Sequence, residues 1–297
     1  MTRMKGMRRQ RRLAGRFAKV DGISFELPVN SRSSPAVFAG FTCDAKAAKA
    51  LLPGNEIHPL RVSPRRAVLL ITVIDYRWTD IGKYIEFSIA IASTHGSKPA
   101  PPLLPGLLPG WFGTGQFVVD LPVSTEISVK GGKGIWGMPK HQANLDFVIS
   151  DDMVSSQYDL DGQLAMRIDV SRPKGKGFPL RASAANYCTF RGLLWKSYIH
   201  FRGRTHVSLG RKARADMVLG PHPRMDRLRD LDLSSKPIFT AFIPESGGAL
   251  DDFMEAWMIT STHPPVDEVE GLESVIDLGQ SEGWLEPPDR REGTWRP

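Results

Sequence analysis

A lysine becomes a nucleophile when its surroundings deny it water, because burial disfavours the ammonium form and leaves an amine that can condense with a ketone. Lys140 meets that description. It follows a rigid Gly137-Met138-Pro139 turn, with Trp136 and Met138 as apolar walls. On spacing alone, a lone lysine is more often a solvated surface residue. The stretch Gly132-Lys133-Gly134-Ile135-Trp136-Gly137 also fits the G-x-G-x-x-G pattern of a phosphate-cradling turn after a strand. Met138-Pro139 stands where a Rossmann helix would begin its second turn, and proline there would break it. No Gly-Lys-Ser/Thr P-loop occurs either. The dinucleotide reading is therefore excluded.

Imine chemistry needs an acid/base partner within reach. Ile85, Phe87, Ile89 and Ile91 alternate with Glu86, Ser88, Ala90 and Ala92, the period of a strand with two different faces. Glu86 lies on the small, polar face, which from spacing turns either to solvent or into a polar cavity. Tyr84 shares that face. It is a candidate to donate to a substrate oxygen, and equally a packed barrel residue.

The elements that must carry these residues are mostly strands. Ala67–Ile74 is a continuous apolar run, Phe117–Val129 reads as a strand with Pro122 at an edge or bulge, and Leu145, Phe147 and Ile149 alternate. Asp161-Gly162 joins Tyr158–Leu160 to Leu164–Val170 as a two-residue hairpin. Tyr198–Leu209 and Ile238–Ile243 are further strands. Asp44 caps a short helix ending at Pro53-Gly54, and Pro221–Leu233 holds another, with Leu228 and Leu231 on one face. Pro105-Gly106 and Pro109-Gly110 mark a loop. Without long helices alternating with strands, the pattern predicts a mainly β (α+β) barrel or sandwich with a few peripheral helices. Trp111, Phe112, Trp195 and Phe201 either shape a pocket or fill the core.

Composition narrows the class. Of 297 residues, 41% are hydrophobic and 24% charged, the profile of a globular protein, and no apolar run approaches the roughly 18–20 residues of a membrane span. The net charge of +7 belongs to residues 1–20, with eight Lys/Arg and no Asp/Glu; the rest holds 31 basic and 32 acidic residues, a net of −1. We therefore read residues 1–20 as a basic, flexible tail, 21–265 as a single domain, and 266–297 as an acidic peripheral extension. Arg8, Arg9, Arg11 and Arg12 could attract an anionic polymer or surface, but a solvated tail is the expected reading, with neither nucleic acid nor membrane as partner. Cys43 and Cys188 lack the spacing of a disulfide framework or zinc site. A cytoplasmic setting is expected.

Gly134-Ile135-Trp136-Gly137-Met138-Pro139-Lys140 resembles the segment around the Schiff-base lysine of the acetoacetate decarboxylase-like superfamily, and Gly82-Lys83-Tyr84-Ile85-Glu86 resembles its Gly-x-Tyr-x-Glu strand. Similarity runs ungapped over Gly115–His141, with an acid at Glu126, and extends to Cys43-Asp44 with its helix and to His222-Pro223, covering roughly residues 25–245. The resemblance implies a cone-shaped, mostly antiparallel β-barrel, oligomeric, needing no cofactor or metal, and acting on a small keto acid through an imine on Lys140. Glu86 would then face the cavity as acid/base, with Tyr84, Trp136, Met138, His141 and Glu126 as candidates to contact substrate or support the site.

The departures matter. Where the family has a second lysine after the nucleophile, this chain has His141; the carboxylate-binding arginine would fall at Glu26, and a second glutamate at Ile71. That pattern looks more like superfamily members that use the imine for aldol and dehydration chemistry on 2-oxo acids. The competing class is a non-catalytic small-ligand-binding protein on the same fold.

Overall fold

The computed structural model of the chain describes residues 15–261 and 278–290. Seven strands close a barrel and are numbered here along the chain: β1 (Val29–Asp44), β2 (Arg66–Tyr76), β3 (Tyr84–His95), β4 (Gly115–Val123), β5 (Phe178–Phe190), β6 (Leu193–Leu209) and β7 (Pro237–Met258). Each hydrogen-bonds to the next, and β7 returns to β1. Closure of this kind leaves the barrel no edge to protect. The expected mainly β barrel with few helices is thus the observed architecture.

Every junction is antiparallel except β4 with β5, which is parallel and touches only at Gln116–Phe117 against Asn186–Tyr187. Beyond Phe117 the two strands part, and a short strand, Lys140–Gln142, takes the freed edge of β4 at Leu121–Val123. The chain between β4 and β5 supplies that strand, a helix (Glu126–Trp136), and four of the five strands of a second sheet, which Ala215–Leu219 completes.

The second sheet covers one flank of the barrel. Phe87, Ile89 and Ile91 of β3 pack there with Tyr158, Met166, Ile168 and Val170. The two faces of β3 predicted from alternation therefore have different destinations: the isoleucines fill the core between layers, and Glu86 and Ser88 line the barrel interior. A bulge in the β3/β4 ladder between Ile89 and Ala90 shifts the alternation of β4, so that Val118 and Leu121 both face inward while Asp120 points away from the cavity.

Several local expectations hold. Asp44 caps the helix Ala45–Ala50, its carboxylate accepting from Ala47 N–H at 2.8 Å. Asp161 and Gly162 both adopt positive φ (52° and 75°) in the predicted hairpin. Pro221–Leu233 contains a short helical segment with Leu228 and Leu231 buried.

Other expectations are corrected. Phe117–Val129 is not one strand: β4 stops at Val123 and a helix starts at Glu126, so the G-x-G-x-x-G stretch is helical through Trp136. The loop with two Pro-Gly pairs folds into two short helical turns, Leu104–Leu107 and Pro109–Phe112. Residues assigned to the basic tail also take part in the fold. Arg16–Val20 pairs with Ile23–Leu27 as a hairpin, and Val20, Phe25 and Leu27 pack on Ile135, Trp136 and Met138. Residues 1–14 of that tail lie outside the described residues, as do 266–277 and 291–297 of the acidic extension. Residues 278–290 of the extension run back over the Glu126–Trp136 helix. Leu278 O accepts from Lys130 Nζ (2.6 Å), Ser281 O from Ile127 N–H (3.2 Å), and Trp284 bridges to Thr125. Arg290 then grips Asp146 with two hydrogen bonds of 2.6 Å.

Candidate active site

The Glu126–Trp136 helix and the turn after it place Lys140. Gly137 takes the left-handed conformation (φ 65°) that ends a helix, and its N–H and that of Met138 satisfy the carbonyls of Lys133 and Gly132. Met138-Pro139 then turns the chain so that Lys140 opens the strand beside Leu121, its side chain 4% exposed. The lysine stem crosses the helix directly over Gly132. A Cβ at that glycine would lie 2.3 Å from Lys140 Cδ and 2.7 Å from Cε. The glycines therefore serve close packing: Gly132 makes room for the lysine, and Gly134 for Val20 of the N-terminal hairpin.

Lys140 Nζ meets Glu86 Oε2 at 2.7 Å and Ser128 Oγ at 3.1 Å, and lies 5.1 Å from the centre of the Tyr84 ring. The Tyr84 hydroxyl lies beside Ser128 and Tyr76, and that of Tyr76 beside Glu86. The two rings stack with centroids 4.6 Å apart. Burial first, and the nearby Glu86 charge second, push both phenols well above their usual range, so they stay protonated hydrogen-bonding groups. Lysine, glutamate, serine and two tyrosines form one connected network, and each polar atom in it limits the freedom of the next.

This network closes the buried end of a cavity of about 250 Å³ inside the barrel. Trp136 and Met138 form walls beside the lysine, as expected, and Phe201 lines the cavity further along. Trp111, Phe112 and Trp195 do not line it, and Trp111 is 84% exposed. Glu86 faces the cavity, while Tyr84 lies packed behind the lysine rather than on the lining. His141 points the other way, because neighbouring strand residues alternate. Its Nε2 lies 3.0 Å from Asp120 Oδ1, and Arg224 Nε (2.9 Å) and Tyr158 OH (3.2 Å) meet the same buried carboxylate. Burial alone would raise the Asp120 carboxyl, but His141, Arg224 and Arg227 outweigh it and hold it well below the usual carboxylate range. Glu126 sits in the first turn of the helix and accepts from Gly279 N–H at 2.8 Å, outside the cavity.

Ser128 and Tyr76 belong to the site and are absent from the sequence reading, where Gly132 entered only through the rejected G-x-G-x-x-G pattern. Ser128, Gly132 and Trp136 recur every fourth residue, the stripe of one helical face; reading the segment as a strand hid it. Glu26 and Ile71 fall where family residues would differ. Glu26 is exposed on the N-terminal hairpin, and Ile71 is buried on β2. Among the described residues no three His, Cys, Asp or Glu side chains gather to hold a metal, and no helix is long and apolar enough to cross a membrane.

An amine in contact with a carboxylate at the end of an apolar cavity is equipped to add to a carbonyl and to shuttle the protons that addition releases. The sequence matches the acetoacetate decarboxylase (ADC) family over residues 21–248. No curated protein matches it. Among solved structures, one described as acetoacetate decarboxylase superposes with a TM-score of 0.55 at 14% identity, covering 78% of this chain and 89% of that one. An acetoacetate decarboxylase from Legionella pneumophila gives 0.54 at 13% identity, covering 77% and 87%. The enduracididine biosynthesis enzyme MppR, complexed with pyruvate, gives 0.55 at 13% identity, covering 77% and 90%. At these identities the structural likeness speaks for the fold.

Proposed function

The chain belongs to the acetoacetate decarboxylase family, and from that premise we propose that it is a Schiff-base-forming lyase with Lys140 as its nucleophile and Glu86 as its acid/base. The observation that carries the reading is the 2.7 Å contact between Lys140 Nζ and Glu86 Oε2 at the closed end of the barrel cavity.

The steps follow from that contact. Lys140 passes a proton to Glu86, and the free amine adds to the substrate carbonyl. Glu86 returns the proton to the carbinolamine oxygen, water leaves, and an iminium remains on Nζ. The iminium draws electrons from the neighbouring carbon. If that carbon bears a carboxylate, as in a β-keto acid, the C–C electrons flow into the iminium, carbon dioxide departs, and protonation and hydrolysis release the ketone. If it bears a proton, Glu86 removes it; the resulting enamine adds to an aldehyde, and water loss follows. Proton transfer by a positioned carboxylate contributes about 10²–10⁴-fold to such steps. Ser128 and Tyr84 hold the amine in line, and Tyr76 holds Glu86.

Borohydride trapping tests the reading. The protein is incubated with pyruvate, acetoacetate or simple ketones, reduced, and mapped by peptide mass. A reduced adduct on Lys140, missing from Lys140→Arg, supports imine chemistry. No adduct from any of these carbonyls would overturn it in favour of a ligand-binding protein on the family's fold.

A further inference from the structure

The cavity lining says what kind of carbonyl compound reaches Lys140. Among the described residues, Glu86 and Lys140 are the only charged ones on it, and they already neutralise each other. Most of the rest is apolar, with Phe38, Leu70, Ile74, Leu121, Phe239 and Leu250 among the walls. Gly40 lets the Phe239 ring lie close across the interior, since a Cβ there would meet it at 2.3 Å. A carboxylate beside the carbonyl would therefore be buried next to Glu86, with no cation among the described lining residues but the reacting nitrogen itself. A net buried charge of that kind is strongly disfavoured. An iminium is favoured by the same surroundings.

The far end of the cavity differs. Gln116 and Asn186 line it and share a 2.8 Å hydrogen bond, with Tyr198 beside them. These residues are half-buried, whereas Lys140 is buried, so the cavity runs from the buried lysine to a more polar end at Gln116. Lys140 pairs with Leu121, five residues beyond Gln116 on β4, so about 16 Å of strand separates the two ends.

We infer that the substrate is an uncharged ketone or aldehyde whose carbonyl is flanked by hydrocarbon and whose apolar chain runs from Lys140 towards Gln116 and Asn186, rather than a small keto acid. The inference rests on the imine reading and narrows its substrate. The covalent step is balanced by itself: the Nζ–C bond forms, the carbonyl oxygen leaves as water, and Glu86 carries the proton between them.

The test uses the wild-type protein and the concentration of carbonyl that gives half-maximal borohydride trapping on Lys140. Methyl hexyl ketone, acetone, pyruvate and acetoacetate are compared, with Lys140→Arg as background. Hydrocarbon burial along the cavity should give methyl hexyl ketone an advantage of about 100-fold or more over acetone, with both keto acids weaker than methyl hexyl ketone. Equal trapping of acetone and methyl hexyl ketone would refute the chain-binding role of the cavity. Better trapping of pyruvate or acetoacetate would overturn the inference and leave the imine mechanism standing. The absence of any Lys140 adduct would overturn both.

Discussion

Replacing Gly132 by alanine should disable the lysine while leaving the fold intact. The added Cβ would stand 2.3 Å from Lys140 Cδ and 2.7 Å from Cε, whereas carbon atoms rest at about 3.5–4.0 Å. The flexible stem can yield, and to do so it must retreat by about 1 Å, carrying Nζ off its contacts with Glu86 and Ser128. Misplacement of a reacting group by about 1 Å costs about 100-fold in rate. Stability should hardly change, because alanine gains up to about 1 kcal/mol over glycine in a helix, offsetting part of the lost ion-pair contact. The assay is the rate of borohydride trapping at saturating ketone, alongside thermal melting. Gly132→Ala should trap about 100-fold more slowly and melt within a few degrees of wild type. Gly131→Ala is the control. Its Cβ would press on Phe25, 3.1 Å away and part of the packing with the N-terminal hairpin, so trapping should stay near wild type. Wild-type trapping by Gly132→Ala, or an equal loss in Gly131→Ala, would refute the argument that this glycine positions the nucleophile.

Glu86→Gln keeps the shape of the network and removes its proton carrier, so turnover should fall by about 10²–10⁴-fold while Lys140 still forms some trappable adduct; complete loss of the adduct with a normal melting curve would assign Glu86 a different role. Asp120→Asn should cost about 1–3 kcal/mol at neutral pH, because it removes the buried carboxylate that His141, Arg224 and Tyr158 all meet. The folded Asp120 carboxyl is depressed, so its stabilisation is present above the unfolded value of about 3.9 and is lost as pH falls towards the folded one; urea titrations should show wild type and variant converging below about pH 4. Burial pushes the Cys43 thiol up to about 11 and that of Cys188 up to about 12, so neither should alkylate in the native protein at pH 8, and both should react in urea.

How far the sequence revealed this site depends on which physical signal each part leaves. Alternation along β3 separates Glu86 from its isoleucine neighbours because the two faces meet different surroundings. The Asp44 cap and the Asp161-Gly162 turn are equally legible, since each is decided within four residues. The helix before Lys140 is not: Ile127 and Val129 read as strand, and Gly131, Gly132 and Gly134 are poor helix formers. Burial against the N-terminal hairpin overrides that preference. The placement of His141 depended on a parity that only the pairing of Lys140 with Leu121 settles. Tyr76 joins the network because register sets it opposite Tyr84, a long-range fact with no local trace. The family motifs bridged part of this gap by marking Lys140 and Glu86 together, with Trp136 and Met138 as near walls; they did not reveal the further apolar walls, which come from strands far apart in the chain.

The strap formed by residues 278–290 also sets a schedule for biosynthesis. The helix that aims Lys140 is held on one side by a hairpin that precedes it in the chain and on the other by Leu278, Ser281 and Trp284, which follow it by well over a hundred residues. At about 5–20 residues per second, roughly 7–28 s pass between synthesis of the lysine and synthesis of the segment that latches its helix. Through that interval the nascent protein carries its nucleophile on a support held from one side.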